Sequence, residues 1–335
     1  MDREGGRTNT GVITPFLALR WPARWAQASS ESKGDSMHRI HLRLASTTLA
    51  LALTACAGAT DSTDPSIAQP TPPPSVAPSA AASPSASSAP ADPNLITIGD
   101  RSLWLECTGD GSPTIVMESG LGGDHRTWDR VVPEISARAR VCVYDRAGIA
   151  ASDPAPGTRT AADAVDDVRA LLEAAGIAPP YVLVGFSYGG IVTQLHASTY
   201  PDDVAGLVLV ESNHPLEATQ FAEHLTPAQV EFDREAALGN PEGLDVFAGM
   251  DEAAAAAPLP DVPLVVVTAG VSEGWPPDWD AETFDALRAA QQADLATFTS
   301  QGTQVIAESS GHHVPSQEPG TIVRAIEQVL DSIAG

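Results

Sequence analysis

The stretch "YVLVGFSYGGIV", residues Tyr181–Val192, carries the strongest local signal in the chain. An apolar run leads into a turn of small residues, and an apolar helical segment follows the turn. Ser187 lies at the centre as G-F-S-Y-G, a pattern that exposes a serine between a strand and a helix. The pattern alone does not distinguish a nucleophile from a small residue in a tight corner, because such pentapeptides also arise by chance. A nucleophilic role for Ser187 therefore depends on whether other parts of the chain supply a base and an acid to act with it.

The N-terminal part of the chain has the pattern of a secretion signal. Residues 37–56 read "MHRIHLRLASTTLALALTAC", with a basic start, a short apolar stretch and a final cysteine. The apolar stretch is too short to span a bilayer comfortably and suits a secretory signal. Its end resembles the lipobox of bacterial lipoproteins, in which the cysteine, here Cys56, becomes the lipid-modified first residue. The alternative is an ordinary signal peptide with a chance cysteine.

Two further segments flank this signal. Residues 1–36 have no clear pattern, and we expect translation to begin at Met37, which would make them an over-extended leader. Residues 57–93 are rich in proline, alanine and serine, so they cannot bury enough surface to fold. We expect them to form an extended tether that holds a folded domain, residues 94–335, outside the cytoplasm at the outer face of the cell membrane.

The composition restricts the partners of the protein. The chain of 335 residues has 18 basic and 43 acidic residues, for a net charge of −25. This charge argues against nucleic acid and against electrostatic docking on anionic lipid. The 8 histidines are scattered without the spacing of metal ligands, so no metal and no cofactor is expected. We expect a monomer that meets the membrane only through a lipid anchor.

From about residue 94 the pattern predicts an α/β fold. Eight strand-like segments follow one another, beginning with a hairpin, and the later ones alternate with helical segments. Such alternation implies a mostly parallel sheet that is covered on both faces. In the same stretch, "TWDRVVPEISARA", residues 127–139, is expected to be a helix despite its early proline. Ligands of such sheets bind beyond the carboxyl ends of the strands, where every candidate below is found.

A serine hydroxyl is a weak nucleophile near neutral pH and needs a base. The last predicted strand runs into "ESSGHHVPSQEP", which places His312 just past the strand with His313 beside it. Either histidine could be structural or solvated. We expect His312 to be the base, with His313 as the alternative.

Backbone N–H groups are candidates for stabilising an oxyanion. The N–H of Tyr188 lies at a helix N-terminus, where it has no partner within the helix. A second donor is expected in "GLGGDHRTW", whose glycines let the backbone approach a substrate closely, and Leu121 is the candidate. The alternative is a plain loop turn.

The acid that would orient the histidine is expected to be Glu211, with Glu273 as the first alternative. Glu211 ends the strand-like "GLVLVE", which is the next strand after that of Ser187. Glu273 follows one strand later in "TAGVSEGW", and Asp278 and Asp280 lie further along the same loop. An acid at a strand end can also cap a helix.

Taken together, the segments "ESGLGG", "YDRAG", "GFSYGG", "YP", "LVLVES" and "SGHH", in this order, resemble the α/β-hydrolase superfamily over residues 94–335. The resemblance implies eight strands in the order 1-2-4-3-5-6-7-8. It also implies Ser187 as nucleophile, His312 as base, and Leu121 and Tyr188 as oxyanion donors.

Cys107 and Cys142 both lie in strand-like segments. Outside the cytoplasm such a pair is more often a disulfide than two free thiols. The strand order implied by the resemblance places strand 2 beside strand 4, which would make the two cysteines neighbours.

The chain departs from the superfamily pattern in several places. Ser119–Gly120 stands where His-Gly is common, which leaves the backbone donor in place, and "YDRAGIAAS" lacks a glycine near Ala150. The usual acid position, G-x-x-D after strand seven, is matched with glutamate at Glu273. Some haloalkane dehalogenases of this superfamily instead have a glutamate after strand six, as Glu211 would be. Those enzymes use an aspartate nucleophile, so Ser187 argues against their reaction.

Residues 212–260, hereafter the cap, lie where members of the superfamily carry a cap over the active site. Its large apolar residues either line a modest acyl pocket or pack the cap down: Phe221, Leu225, Phe232 and Phe247. Both interpretations stay open. Trp275 and Trp279, beyond the cap, are candidates for another wall.

These observations predict a secreted, lipid-anchored serine hydrolase that acts on a small carboxylic ester, lactone or thioester. One alternative is an aminopeptidase or amidase on the same fold, whose cap acids would hold the amino terminus of a substrate: Glu217, Glu223, Glu231 and Asp233. A second alternative, from another class of protein, is a catalytically silent surface binding protein.

Overall fold

The computed structural model describes residues 92–272 and 274–335. Residues 1–91 lie outside the described part, and with them the predicted leader, the signal, Cys56 and nearly all of the tether. The strands of the described part are β1 (Leu95–Ile98), β2 (Arg101–Thr108), β3 (Thr114–Glu118), β4 (Val141–Tyr144), β5 (Tyr181–Phe186), β6 (Val204–Val210), β7 (Leu264–Ala269) and β8 (Gly302–Ala307).

These eight strands, all within the described residues, form one sheet in the order β1-β2-β4-β3-β5-β6-β7-β8. β2 pairs antiparallel with β1 and with β4, and every other neighbouring pair is parallel. The predicted opening hairpin, the mostly parallel sheet and the strand order implied by the resemblance are therefore confirmed. The parallel strands β3 to β8 bring their carboxyl ends to one edge of the sheet, which is where the candidate site forms.

Helices connect the parallel strands and cover the sheet. Those of the described residues are α1 (Val132–Ile135), α2 (Ala161–Ala174), α3 (Tyr188–Thr199), α4 (Glu217–Ala222), α5 (Pro227–Leu238), α6 (Val246–Ala255), α7 (Ala281–Leu295), α8 (Val314–Gln317) and α9 (Pro319–Ala334), with short 3-10 turns at His125–Trp128 and Pro201–Asp203. In this described part, no helix has the length and apolar character needed to cross a membrane.

The expectation of one helix over residues 127–139 is wrong. The segment contains only the last residues of a 3-10 turn, the four-residue helix α1 and further turns. Pro133 explains the interruption, because proline has no N–H to donate and is tolerated only in the first turn of a helix. The helix accordingly begins at Val132, immediately before the proline.

Apolar side chains fill both faces of the sheet. In β6, Val208 belongs to a cluster that includes Ile326 of α9, whereas Leu207 belongs to a second cluster that includes Leu171 of α2. Alternate residues of the same strand therefore point into two separate cores. This explains why the central strands read as continuous apolar runs rather than as alternating ones.

A disulfide joins two strands near one edge of the sheet. Cys107 of β2 and Cys142 of β4 lie directly opposite each other in the antiparallel register, with 4.1 Å between their Cα atoms. They are 35 residues apart in the sequence. The bond therefore closes a loop that contains β3 and the segment between β3 and β4, which includes the predicted oxyanion residue Leu121.

Reducing this disulfide is expected to destabilise the domain. Closing a loop of this length removes conformational entropy from the unfolded chain, an effect of about 3–4 kcal/mol in the free energy of unfolding. Urea unfolding with and without a reducing agent measures the difference, with the double variant Cys107→Ala/Cys142→Ala as a control that should not respond. An unchanged midpoint of the wild-type protein under reduction would show that the bond does not contribute.

Candidate active site

Ser187 occupies the turn between β5 and α3. It has φ = 54° and ψ = −126°, a conformation that costs a non-glycine residue about 1–3 kcal/mol. Backbone hydrogen bonds hold the strained residue in place: its N–H donates to Val210 O at 3.0 Å, and its carbonyl accepts from Gly190 N at 2.9 Å. Such strain, retained by its surroundings, is typical of a nucleophile in this type of turn.

The glycines of the motif are required by close packing. A β-carbon at Gly185 would lie 2.7 Å from the carbonyl oxygen of Gly189, and one at Gly189 would lie 2.6 Å from that of Glu118. Both distances are far below van der Waals contact, so the strand and the helix can approach this closely only without side chains at these two positions.

His312 lies in the loop between β8 and α8 and faces the serine. Its Nε2 is 3.1 Å from Ser187 Oγ, and its Nδ1 is 3.3 Å from Glu211 Oε2. The first distance is within the range expected between a nucleophile and its base, and the second is slightly longer, as is common in sites without a bound substrate. His313, the alternative base, is exposed, and its backbone carbonyl accepts hydrogen bonds at the start of α8.

Glu211, directly after β6, is the carboxylate whose oxygen contacts His312 Nδ1 in the described part of the chain. Its side chain is buried, and its Oε1 accepts a hydrogen bond from Ala269 N at 2.8 Å. Arg288 of α7 donates to both its backbone oxygen and Oε2, each at 3.1 Å. Burial by itself would raise the pKa of Glu211, but the positive charge of Arg288 and the hydrogen bond with His312 lower it to about 2. Glu211 is therefore ionised at neutral pH.

The other acids considered from the sequence have different positions. Asp278 accepts a hydrogen bond from Gln229 Nε2 at 3.0 Å, and Asp280 accepts one from the Thr283 hydroxyl at 2.6 Å. Both are exposed side chains engaged in local contacts. Glu273 lies outside the described residues.

The lowered pKa of Glu211 predicts a pH-dependent contribution to stability. Its folded pKa of about 2 is below the ordinary value of 4.5, so its contribution is complete above pH 4.5 and is lost as the pH falls through 2. The difference corresponds to about 3 kcal/mol. The gap in unfolding free energy between wild type and Glu211→Gln should therefore narrow between pH 5 and pH 2. A gap that stays constant over this range would contradict the ionised, stabilising carboxylate.

The two predicted oxyanion donors lie beside the serine. Tyr188 is the first residue of α3, so its N–H has no acceptor within the helix. On the other side, a β-carbon at Gly120 would lie 3.2 Å from Ser187 Cβ, which places the peptide between Gly120 and Leu121 next to the nucleophile. The described structure thus brings together Ser187, His312, Glu211 and both donor segments.

Three charged residues of this region were not predicted from the sequence: Arg146 and Glu242, which are buried, and Arg288, which is half-buried. Arg288 connects Glu211 to Glu217 of the cap, and Arg146 and Glu242 lie behind the Gly120 loop. Arg146 belongs to the quoted motif "YDRAG", which was the only available signal. From sequence alone, a charged residue is expected at the surface unless the residue that it pairs with is known. Buried ion pairs of this kind therefore cannot be predicted from the sequence pattern.

One aromatic residue of the cap, Phe221, helps to hold the cap in place. Phe221 is buried, and its ring centroid lies 5.1 Å from that of Phe284 and 5.4 Å from that of Trp275. Trp275 stacks on Trp279 at 5.8 Å. Phe232 is 67% exposed. For Phe221, the packing interpretation therefore holds, because its contacts join the cap to α7 and the loop before it.

The cap acids differ in their surroundings. Glu217 accepts hydrogen bonds from Arg288 Nη1 at 2.8 Å and Asn213 Nδ2 at 2.6 Å, while Glu223 and Glu231 are exposed. Burial, and then the negative charge of Glu217, raise the pKa of Asp233 to about 6. Among the described residues, no group of three or more histidine, cysteine or acidic side chains is arranged to hold a metal ion.

Comparison with known proteins gives matches to one fold. Residues 113–251 match the family model for the alpha/beta hydrolase fold. Among curated proteins, a putative carbamate hydrolase, RutD, from Azorhizobium caulinodans is 33% identical over 112 residues, which cover 33% of this chain and 42% of that protein. The chain spans less than half the length of the first curated relatives it matches.

Solved structures match over most of the described domain. A thermophilic esterase from Thermogutta terrifontis is 23% identical with a TM-score of 0.51, covering 72% of this chain and 98% of that one. The enol-lactonase from Burkholderia xenovorans LB400 is 19% identical with a TM-score of 0.50, covering 70% of this chain and 98% of that one. At these identities the similarity shows the fold.

Proposed function

We propose that this chain, which has the α/β-hydrolase fold, is a serine hydrolase that cleaves a carboxylic ester, lactone or thioester through an acyl-enzyme. The observation that carries the proposal is the relay of side chains at the carboxyl edge of the sheet. Ser187 Oγ lies 3.1 Å from His312 Nε2, and His312 Nδ1 lies 3.3 Å from the ionised Glu211. This is the arrangement that activates a serine for acyl transfer.

This geometry supports the following order of events. His312 Nε2 takes the proton of Ser187 Oγ as the oxygen attacks the carbonyl carbon of the substrate. The negative charge that develops on the carbonyl oxygen is held by the N–H groups of Leu121 and Tyr188. His312 then gives the proton to the leaving alcohol, and the acyl group remains on the serine. Water, activated by His312, hydrolyses this acyl-enzyme and restores the free hydroxyl.

Glu211 orients the histidine during these steps. Its carboxylate holds the proton of His312 on Nδ1, which leaves Nε2 free to accept the serine proton. The negative charge also stabilises the imidazolium that forms after proton transfer. Arg288 keeps the carboxylate ionised and fixed, since it bonds to both its backbone and its side chain.

An ester-like substrate is favoured over a peptide. An esterase, an enol-lactonase and a putative carbamate hydrolase are among the similar proteins, and these activities, which are theirs, support this class of substrate. An aminopeptidase would need a free carboxylate for the substrate's ammonium group. Glu217, the buried one of the four cap acids named for this role, already binds Arg288 and Asn213, so it is not available for that role. A catalytically silent binding protein would have no need of the strained Ser187 beside a histidine and an ionised carboxylate.

Hydrolysis of p-nitrophenyl acetate and butyrate tests the function, with Ser187→Ala as the matched variant. Turnover by the wild type and its loss in the variant are expected. Equal turnover by the two proteins would overturn the proposal. Aminoacyl-arylamides in the same panel distinguish the peptidase alternative, which predicts that they are better substrates than the esters.

We also propose that the enzyme is a lipoprotein anchored outside the cytoplasm through Cys56. The support is the sequence of residues 37–56, which ends in "LTAC", together with the Pro/Ala/Ser-rich segment that follows. Expression of the full chain with labelled palmitate in a bacterial host provides the test. The wild type should be labelled and sediment with membranes, whereas Cys56→Ser should do neither. An unlabelled wild type in the soluble fraction would rule out the anchor.

A further inference from the structure

Arg146, in the loop directly after β4, lies buried between the loop that carries Leu121 and the cap. Its side chain is only 4% exposed. Nη1 donates to Ser119 O at 2.5 Å, and Nη2 donates to Gly120 O at 2.7 Å. One guanidinium therefore binds two successive carbonyl groups of the oxyanion loop, residues 119–123, and it also pairs with Glu118.

Two hydrogen bonds to Gly120 O, from Arg146 Nη2 and from Gly123 N at 3.0 Å, fix the orientation of this peptide and with it the direction of the next N–H. In a trans peptide, the C=O of one residue and the N–H of the following residue point in opposite directions across the same rigid plane. Arg146 draws the carbonyl of Gly120 towards itself, so the N–H of Leu121 is directed away from the guanidinium. Gly120 also packs against Ser187, since a β-carbon at Gly120 would lie 3.2 Å from Ser187 Cβ, so this peptide has both Arg146 and the nucleophile as neighbours.

Glu242, a residue of the cap, holds Arg146 in this position. Its Oε2 accepts from Arg146 Nε at 2.5 Å, and its Oε1 accepts from Nη2 at 2.7 Å. The same Oε1 accepts from the backbone N–H of Gly122 at 2.6 Å. A single buried carboxylate of the cap thus binds both the arginine and the oxyanion loop directly. Such bidentate pairs fix orientation as well as distance.

We propose that Arg146 and Glu242 are positioning residues that set the direction of the Leu121 N–H, so that the oxyanion site is complete only when the cap is seated. Neither side chain touches the substrate. Their role rests on the proposed function, since it presupposes an oxyanion at Leu121. The cap then contributes to catalysis itself and does more than shape the substrate pocket.

The variant Glu242→Gln disturbs this arrangement with little change in shape. An amide has one oxygen and one NH₂ group, so whichever way it is turned, one of the groups now bound by the carboxylate faces another donor. Asp167→Asn is the matched control. Asp167 and Glu242 are equally buried, each with 6% of its surface exposed. Asp167 binds Arg159 at 2.6 Å in a buried ion pair outside the site. Thermal unfolding of both variants measures the general cost of losing a buried carboxylate.

The kinetic test compares an aryl ester with its thiono analogue, in which sulfur replaces the carbonyl oxygen. Sulfur accepts hydrogen bonds weakly, so the thionoester gains little from oxyanion donors. Glu242→Gln is expected to lower kcat for the oxoester about 10- to 100-fold, part of the loss measured when an oxyanion donor is removed. The thionoester should lose much less, and Asp167→Asn should leave the ratio of the two rates unchanged. Equal losses for both esters in Glu242→Gln would overturn the positioning role.

Hydrogen exchange of the backbone supplies a readout that does not require activity. Peptides that cover residues 119–123 should exchange faster in Glu242→Gln than in the wild type and in Asp167→Asn. Unchanged exchange in this loop would contradict the inference even for an active enzyme. If the wild type hydrolyses no ester but the loop exchanges faster in Glu242→Gln, the proposed function fails while the positioning of the loop stands. Arg146→Lys keeps the charge but has three N–H donors in place of the five hydrogen bonds that the guanidinium makes, so it provides a second variant with the same expectations.

Discussion

Replacing His312 with alanine is expected to lower kcat for ester hydrolysis by about 10⁶-fold, the loss measured when the base of a serine triad is removed. Without the imidazole, nothing at 3.1 Å from Ser187 Oγ accepts the proton, and the leaving alcohol receives none. Initial rates with p-nitrophenyl butyrate, measured at enzyme concentrations high enough to detect residual turnover, give the value.

His313→Ala is the matched control for this prediction. The two histidines are adjacent and have ring centroids 5.6 Å apart, yet the hydrogen bond to Ser187 is made by His312. We expect His313→Ala to keep kcat within about one order of magnitude of the wild type, as for a residue outside a catalytic unit that acts together. A larger loss in His313→Ala than in His312→Ala would transfer the role of base to the neighbouring residue.

Glu211→Gln is expected to lower kcat by about 10⁴-fold, as in triads whose acid is replaced by its amide. An amide at this position can donate to Nδ1, which favours the tautomer that carries its proton on Nε2 and cannot accept from Ser187. The charge that stabilises the imidazolium is lost at the same time. The variant also leaves Arg288 beside a neutral group, so circular dichroism and thermal unfolding are needed to show that the folded state persists.

Glu273→Gln is the comparison that decides between the two acids named from the sequence. If Glu211 is the partner of His312, Glu273→Gln should keep kcat within about tenfold of the wild type, whereas Glu211→Gln loses several orders of magnitude. The reverse result would assign the relay to Glu273. Comparable losses in both variants would mean that the two carboxylates share the role.

The architecture was predictable because its signals are local. Each buried strand is a short apolar run, and the glycines around Ser187 mark a turn in which a β-carbon would collide with backbone. The order of the strands is not local, and it followed only from the resemblance to a known superfamily. The helix expected over residues 127–139 was wrong because a single proline outweighed an otherwise favourable helical pattern.

The site was predictable only in part. Ser187 lies between Gly185 and Gly189, and His312 follows Gly311, each just past a predicted strand, which distinguishes both from ordinary polar residues. Glu211 was expected ahead of Glu273, but the sequence does not separate the two firmly, because β6 and β7 are neighbours and both end at the same edge of the sheet. Arg146 and Glu242 are 96 residues apart in the sequence and meet only through the fold of the cap. A contact between two buried charges has no periodicity or motif by which it could be recognised.

The central claim is that Ser187 is a nucleophile activated by His312, and mass spectrometry after treatment with a fluorophosphonate tests it most directly. The folded wild-type protein should acquire a single adduct, and proteolysis should locate it on the peptide that contains Ser187. Labelling should be lost in Ser187→Ala and strongly slowed in His312→Ala. An unlabelled wild-type protein, or an adduct on any other residue, would contradict the account.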